Sequence, residues 1–525
     1  MSSLQQFLRS WIWEFVFWEC GRGIVGLRVC VYVRTQCGLS ALDRRVTIRV
    51  KMVSNSKLQK IQVDRLSALP DEILIYILSF SDTKCAVRTS ILSKRWKNIW
   101  ANVPYLDLDD EYRNDELGFK AFVDRVLTLH ELTNINKFSL RCCFDDFSGV
   151  QRWIRTALQR NVIEVDLSIV SENDESFELP ETIYTCKTLK ALTLRSNFII
   201  KGSLAYQFSF MRFLPIANLF PSLKFLYVQF FHPDADSMRN LISWFPVLED
   251  LTIDGTIGDD ELNLDINVPK LKTLTISLCT EVEDEAEDEA GEAEVAEGEG
   301  NEADENEDHN VCRFYVKAPN LETLNFKVDV LANCELKYGK LLAKADIDLY
   351  DHSASEHPSV ATRASTLLES VSNVQYLSLS AHCLEISSLP SFNKLKELKL
   401  VFQDCHRLET LLLEILERSP NLESLVLDRE VESCQCTAQD FSENPSGTLQ
   451  AVPLCLMSNL KTVSIMRFIG RQEEMEIVKY LLKTSQVLKK MTVSMLRTNC
   501  EDAKNLQRDL RMFPIGSKAC EVEFM

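Results

Sequence analysis

Residues 395–427 read LKELKLVFQDCHRLETLLLEILERSPNLESLVL, and the two ends of this stretch carry the same phrase. In LKELKL and LESLVL an apolar residue is followed three and five positions later by two more: Leu395, Leu398 and Leu400, then Leu422, Leu425 and Leu427. Alternation over the last positions puts two apolar side chains on one face of a short strand, while the first starts the turn inward. Between the phrases, Leu408, Leu411, Leu412 and Ile415 recur at helical spacing. The SPNL that follows places a proline and a turn before the next strand, as do FPSL, FPVL and APNL elsewhere.

The phrase recurs along most of the chain. It reads LKALTL at Leu189, LKFLYV at Leu223, LEDLTI at Leu248, LKTLTI at Leu271, LETLNF at Leu321, VQYLSL at Val374 and LKTVSI at Leu460. Weaker copies stand at Ile135 (INKFSL), Val162 (VIEVDL) and Leu488 (LKKMTV), and LLAKADIDL from Leu341 fills the long interval before Val374 as a degenerate copy. This is the L-x-x-L-x-L core of leucine-rich repeats. One repeat cannot bury its own apolar face, whereas stacked repeats join their strands into a parallel sheet over one continuous core. The expected fold class is therefore α/β, an irregular leucine-rich-repeat solenoid with helical segments between its strands.

The net charge of −19 is concentrated in one place. Residues 281–309 hold 16 acidic side chains and no Lys or Arg, and without them the chain is close to neutral. Such a run buries too little apolar surface to offset its ordering entropy, so a disordered insertion is expected over 281–310. Subtracting it brings Leu271 and Leu321 to ordinary repeat spacing, which places the insertion between two repeats. Ahead of the repeats stands an extension over 1–63, whose first fifty residues resemble nothing downstream. Their apolar runs Trp11–Trp18 and Ile24–Val33 are too short to span a bilayer; an N-terminal extension, disordered or a chain-start artefact, is expected there. Seventeen cysteines at irregular spacing, with no secretory signal before them, suit a reducing nuclear or cytoplasmic compartment.

Nothing in the sequence supports catalysis or a cofactor. It lacks the P-loop, nucleophile-elbow, zinc-protease and dinucleotide motifs. Cys434 with Cys436, Cys142 with Cys143, Cys405 with His406, and His352 with His357 belong to no four-ligand set. Neither a membrane nor nucleic acid is an expected partner.

One segment stands apart from the repeats. LPDEILIYILSFSDTKCAVRTSILSKRW, from Leu69 to Trp96, packs many aliphatic residues into three short helical patterns. Pro70 with Asp71 and Glu72 suits a helix start. Ile73, Leu74, Ile77 and Leu78 stack along one side, and Asp82 can cap a second helix of about nine residues carrying Ala86, Val87 and Ile91. Ser93 can cap a third, with Trp96, Ile99 and Trp100 at i, i+3 and i+4. Helices this short are marginal alone. The module must lean on the first repeat as a cap, on a partner, or on both. A helix-turn-helix reader of DNA fits poorly, because Leu69–Pro104 holds only five basic residues against three acidic.

Asp64-Arg65-Leu66-Ser67, Leu69 through Leu74, Ile77-Leu78-Ser79-Phe80 and Leu92-Ser93-Lys94-Arg95-Trp96 resemble the F-box, the adaptor-binding module of SCF ubiquitin ligases. The resemblance implies a three-helix F-box module over 64–104 that docks on a Skp-family adaptor, and through it on a cullin and a RING subunit. Implied adaptor contacts are Leu69, Pro70, Ile73, Leu74, Ile77, Leu78, Leu92, Ser93 and Trp96, some of which must also hold the module's own core. Val452–Val493 is similar to the FBD segment that follows the repeats in many plant F-box proteins. There the residues give a strand (Leu460, Val463, Ile465), a loop at Gly470, a helix over Glu473–Lys483 with Met475, Val478 and Leu481 inward, and a further strand. The ending FPIGSKACEVEF fits the same family, with Ile515 where an arginine is expected.

The expected organisation is then the extension, the F-box, leucine-rich repeats over 105–450 and an FBD segment over 451–525. The expected function is that of a non-catalytic substrate receptor of an SCF ligase, its repeats binding a protein target. A leucine-rich-repeat scaffold working without a ligase is the alternative.

Overall fold

The computed structural model describes residues 14–17, 28–31, 69–110, 116–144, 146–171, 177–195, 198–199, 219–231, 245–257, 263–280, 313–328, 333–338, 341–349, 358–381, 389–402, 408–430, 452–496 and 500–525. The acidic insertion, residues 64–68 of the F-box resemblance and the pairs at 352/357, 405/406 and 434/436 lie outside them. The chain divides into two units, Met1–Ala68 and Leu69–Met525. In the first, Glu14–Phe17 pairs antiparallel with Arg28–Val31, an element not expected in an unstructured extension.

The second unit is built on one 15-stranded sheet whose strands follow one another in chain order. It begins at Tyr105–Asp109 and runs through Lys137–Cys143, Glu164–Val170, Ala191–Arg195, Phe225–Phe231, Asp250–Ile257, Thr273–Thr280 and Thr323–Val328. It continues through Lys344–Leu349, Tyr376–Ala381, Glu397–Phe402, Ser424–Arg429, Thr462–Phe468 and Lys490–Met495 to Glu521–Phe524. Every pairing is parallel. Every copy of the repeated phrase supplies a strand, the degenerate one included. Thr273–Thr280 pairs in register with Thr323–Val328, so the insertion interrupts no strand of this sheet.

The first apolar residue of each of the twelve phrases, from Ile135 and Val162 to Leu460 and Leu488, is at most 1% exposed. The residue after it joins each repeat to the previous one. Lys224 donates its N–H to the carbonyl of Lys190 at 2.8 Å, Glu249 to Lys224, Lys272 to Glu249, and so on to Lys489. The phrase therefore fixes both the core column and the ladder entry, and register is specified because a slip of one residue would expose the core.

Two features depart from the expected α/β alternation. Asn263–Asn267, Arg313–Ala318 and Asn333–Tyr338 form a second parallel sheet of three strands, and Phe314 meets Phe326 of the large sheet edge to face at 5.6 Å. Over these repeats a strand replaces a helix, because NLDIN and RFYVKA alternate with period two and bury Leu264, Ile266, Phe314 and Val316. In the helix Leu408–Arg418 the inward side chains are Leu412, Ile415 and Leu416, while Leu408 and Leu411 are only half-buried.

The helical module abuts the first strand of the sheet. Thr83 Oγ1 accepts the Asp107 N–H at 2.8 Å, Glu131 donates its N–H to the Ala101 carbonyl, and Leu106 and Leu108 are buried. His130 is sealed into this junction: its Nε2 lies 2.9 Å from the Val103 carbonyl, and Arg160 Nη1 lies 3.3 Å from its Nδ1. Burial, seconded by the Arg160 guanidinium and only partly offset by the Val103 bond and Glu131, holds the imidazole below its usual range. A base whose folded pKa is lowered binds its proton more readily when unfolded. The junction is therefore fully stable above pH about 6.5 and loses stability as pH falls below it, by up to about 1.4 kcal/mol per pH unit. Urea midpoints between pH 7.5 and 5 should fall more steeply for the native chain than for His130→Gln; identical slopes would contradict this.

Candidate protein-docking site

The helical module starts with α1, Asp71–Leu78. Pro70 precedes it in extended conformation, and Asp71 and Glu72 stand at its positive end. Leu74 and Leu78, one turn apart, are completely buried. Asp82 caps α2, Thr83–Arg88, by accepting the Cys85 N–H at 2.6 Å. A 3-10 turn, Thr89–Ile91, completes the expected nine residues. The third segment, Trp96–Asn102, is a 3-10 helix with Arg95 at its N-cap position, so the capping role expected of Ser93 is not realised. It packs against α1 and buries Trp96, Ile99 and Trp100.

Arg95 closes the module. Its guanidinium donates to Asp71 Oδ1, with Nη2 at 2.6 Å and Nε at 3.0 Å, and also to the Leu69 carbonyl. The Leu-Pro-Asp start and the Lys-Arg-Trp end are thus held together although 24 residues separate Arg95 from Asp71. The pair is too exposed to contribute much beyond about 1 kcal/mol. Its effect is positional, since it fixes where the chain enters α1.

The nine side chains implied as adaptor contacts divide in two. Pro70, Ile73, Leu92 and Ser93 are exposed, and Leu69 and Ile77 are half-buried. Leu74, Leu78 and Trp96 are not on the surface: they form the module's own core, because α1 must turn one face onto Trp96–Asn102 to be stable at all. Three further residues join the exposed set. Tyr76 and Phe80 stack edge to face at 5.0 Å, and Ile91 follows on the 3-10 turn. Exposures of 75% for Phe80, 86% for Ile91 and 63% for Leu92 are large for side chains of this kind. Tyr76 and Phe80 are four residues apart and Tyr76 lies midway between Leu74 and Leu78, so the helical period places them opposite the core; that signal was readable.

A second surface is the outward face of the large sheet. Near its start the charges pair across strands: Arg141 bridges Asp107 and Asp109 at 3.1 and 2.7 Å, and Arg195 reaches Asp166 at 2.5 Å. The Arg195 guanidinium lies over the Tyr227 ring, whose hydroxyl donates to Asp254 at 2.7 Å. Burial first, then Asp254, pushes this phenol up to about 12. Midway the face turns to the uncharged Thr273, Thr275, Thr323 and Asn325, in register with one another. Later it carries Val401, Val426 and the exposed Met466.

Among the described residues no reactive constellation accompanies these surfaces. Cys142 and Cys143, neighbours on a strand, face opposite sides, and burial pushes the Cys142 thiol well above its ordinary value. Among the described residues no group of three or more His, Cys, Asp or Glu is placed to hold a metal, and no helix is long and apolar enough to cross a membrane.

A short helical module, a long parallel repeat sheet and a distinct C-terminal segment define a class of modular repeat proteins, and comparison with known sequences specifies the family. The F-box domain profile matches residues 66–107. The repeats of the FBD-associated F-box protein At5g56370 match 150–349, and the FBD profile matches 450–493. The Arabidopsis thaliana F-box/FBD/LRR-repeat protein At5g22660 is 30% identical over 478 residues, covering 87% of this chain and 96% of its own length. FBD-associated F-box protein At5g22730 from the same plant is 28% identical over 476 residues, covering 87% and 94%. The chain belongs to the plant F-box/FBD/leucine-rich-repeat family.

Proposed function

We propose that this chain is the non-catalytic substrate-recognition subunit of an SCF-type ubiquitin ligase. The helical module docks a Skp-family adaptor that leads to a cullin and a RING subunit, and the outward face of the solenoid's sheet holds a protein target. One observation carries this reading: a module that already has a buried core and a covalently continuous neighbour still exposes Ile73, Tyr76, Phe80, Ile91 and Leu92. Exposed apolar clusters of this kind mark interaction sites. The chain's contribution to catalysis is positional, raising the local concentration of target lysines near the charged enzyme. The thiols of Cys142, Cys186 and Cys455 form no disulfide, which supports a reducing nuclear or cytoplasmic setting.

A scaffold without a ligase is the second reading, favoured by the bond from Asp107 to Thr83, which makes the module a cap as well. The patch separates the two. Ile91→Asp combined with Leu92→Asp changes only exposed positions, so the unfolding midpoint should stay within experimental error. Capture by an immobilised Skp-family adaptor should weaken by about 30-fold or more, the size of one hot-spot loss. Unchanged capture, or no capture of the native chain, would favour the scaffold.

A further inference from the structure

The two ends of the large sheet are finished differently. At the start, Leu106 and Leu108 are 1% exposed and Thr83 takes up the edge N–H of Asp107. At the other end, Val522 and Phe524 continue the core column of Met491 and Val493 but are only half-buried. Met525, next in the chain, is mostly exposed, and the Arg511 guanidinium lies over the Phe524 ring at 5.4 Å. Glu521 donates its N–H to the Lys489 carbonyl and Met525 donates to that of Val493. In a parallel ladder the N–H and C=O of one residue point to the same side and alternate along the strand, so those of Val522 and Phe524 point away from the sheet. On the outward face of this strand stand Glu521 and Glu523, with Lys490 behind them at 2.8 Å from Glu523.

We propose that the edge strand Glu521–Phe524 is a docking site for an extended segment of a partner protein in which basic side chains alternate with apolar ones. Main-chain bonds to Val522 and Phe524 add the segment as a sixteenth strand. Its apolar side chains extend the core column over Val522 and Phe524, completing the covering that a repeat stack requires. Its basic side chains fall opposite Glu521 and Glu523. Arg511 enforces this orientation, because a basic residue on the core side would meet a like charge above Phe524. A second copy of the chain fits worse. Two-fold antiparallel pairing of this strand with itself through Val522 and Phe524 sets Glu523 against Glu523 of the other copy, and like charges directly opposite are destabilising.

The test uses the full chain and three labelled ten-residue peptides read by fluorescence anisotropy: alternating Lys and Val, alternating Glu and Val, and the first composition with its lysines in one block. The alternating Lys peptide should bind at least about tenfold more tightly than either of the others. Val522→Pro removes the outward N–H and no N–H that bonds within the sheet, while keeping an apolar side chain in the core column, a change an edge strand tolerates, and should cost about tenfold with the circular dichroism spectrum unchanged. Glu521→Lys with Glu523→Lys should reverse the preference between the two alternating peptides, and it tests the idea even if the proline variant misfolds. Equal binding of alternating and blocked lysines would reduce the effect to bulk charge and overturn the proposal, as would binding indifferent to both variants or no binding at all. Self-association of the native chain in sedimentation that Val522→Pro abolishes would assign the edge to a second copy instead.

Discussion

Replacing Glu474 with alanine is expected to lower the unfolding free energy by about 3–5 kcal/mol, the cost of breaking a buried ion pair from one side. The reason lies in how many groups its carboxylate serves. One oxygen accepts from Arg429 Nη2 at 2.8 Å and Nε at 3.0 Å; the other accepts the N–H groups of Ile469, Gly470 and Arg471 at 3.2, 2.8 and 3.1 Å. Both side chains are buried, and the Arg429 guanidinium also rests over the Phe402 ring. One carboxylate thereby joins the strand Ser424–Arg429, the loop at Gly470 and the start of the helix Gln472–Thr484. Gly470 turns that loop at φ +83°, where a Cβ would come within 2.4 Å of Leu506 Cδ2. Glu474→Gln, which keeps an acceptor for the N–H groups but not the charge, should fall between the native chain and the alanine variant. Urea denaturation of the three proteins checks this, and an alanine cost below about 1 kcal/mol would show the pair to be dispensable.

The second large effect concerns Trp96. Truncation to alanine in the module's core should cost about 3–5 kcal/mol, because the indole is 4% exposed and α1 has little else to pack on. Adaptor capture should then fail together with local order, seen as rapid proteolysis within 69–104 while the repeats stay resistant. Ile91→Asp with Leu92→Asp should fail in capture alone. A stable, protease-resistant Trp96→Ala protein would mean that the inward and outward residues of the module have been wrongly divided.

The repeat phrase made the sheet legible because its three apolar positions have one structural solution, and the strand at Leu341 followed from spacing alone. The strand Tyr105–Asp109 was missed although Val103, Leu106 and Leu108 carry the same pattern, since it abuts a helical module whose end was set at residue 104. The edge strand Glu521–Phe524 lacks the leading leucine. The three-stranded sheet escaped because a helical outer layer is the usual partner of such strands, and only the local alternation in NLDIN and RFYVKA argued otherwise. In the FBD helix, Ile477 and Glu474 are buried while Met475 is half-buried. A glutamate is a poor inward candidate until the arginine awaiting it is known, and that arginine lies 45 residues earlier. In the helical module the short apolar patterns located the segments and the helical period set Tyr76 opposite Leu74 and Leu78, but which apolar side of α1 would be covered depended on where Trp96 folds back, a contact 18 residues beyond the end of that helix.

We propose that the face formed by Ile73, Tyr76, Phe80, Ile91 and Leu92 is where this protein meets its adaptor. Hydrogen–deuterium exchange of the full chain, with and without a Skp-family adaptor, tests it most directly. Added protection should concentrate in residues 69–80 and 89–93 and leave the strands from Lys137–Cys143 onward unchanged. Protection confined to the repeat strands, or none at saturating adaptor, would contradict the claim.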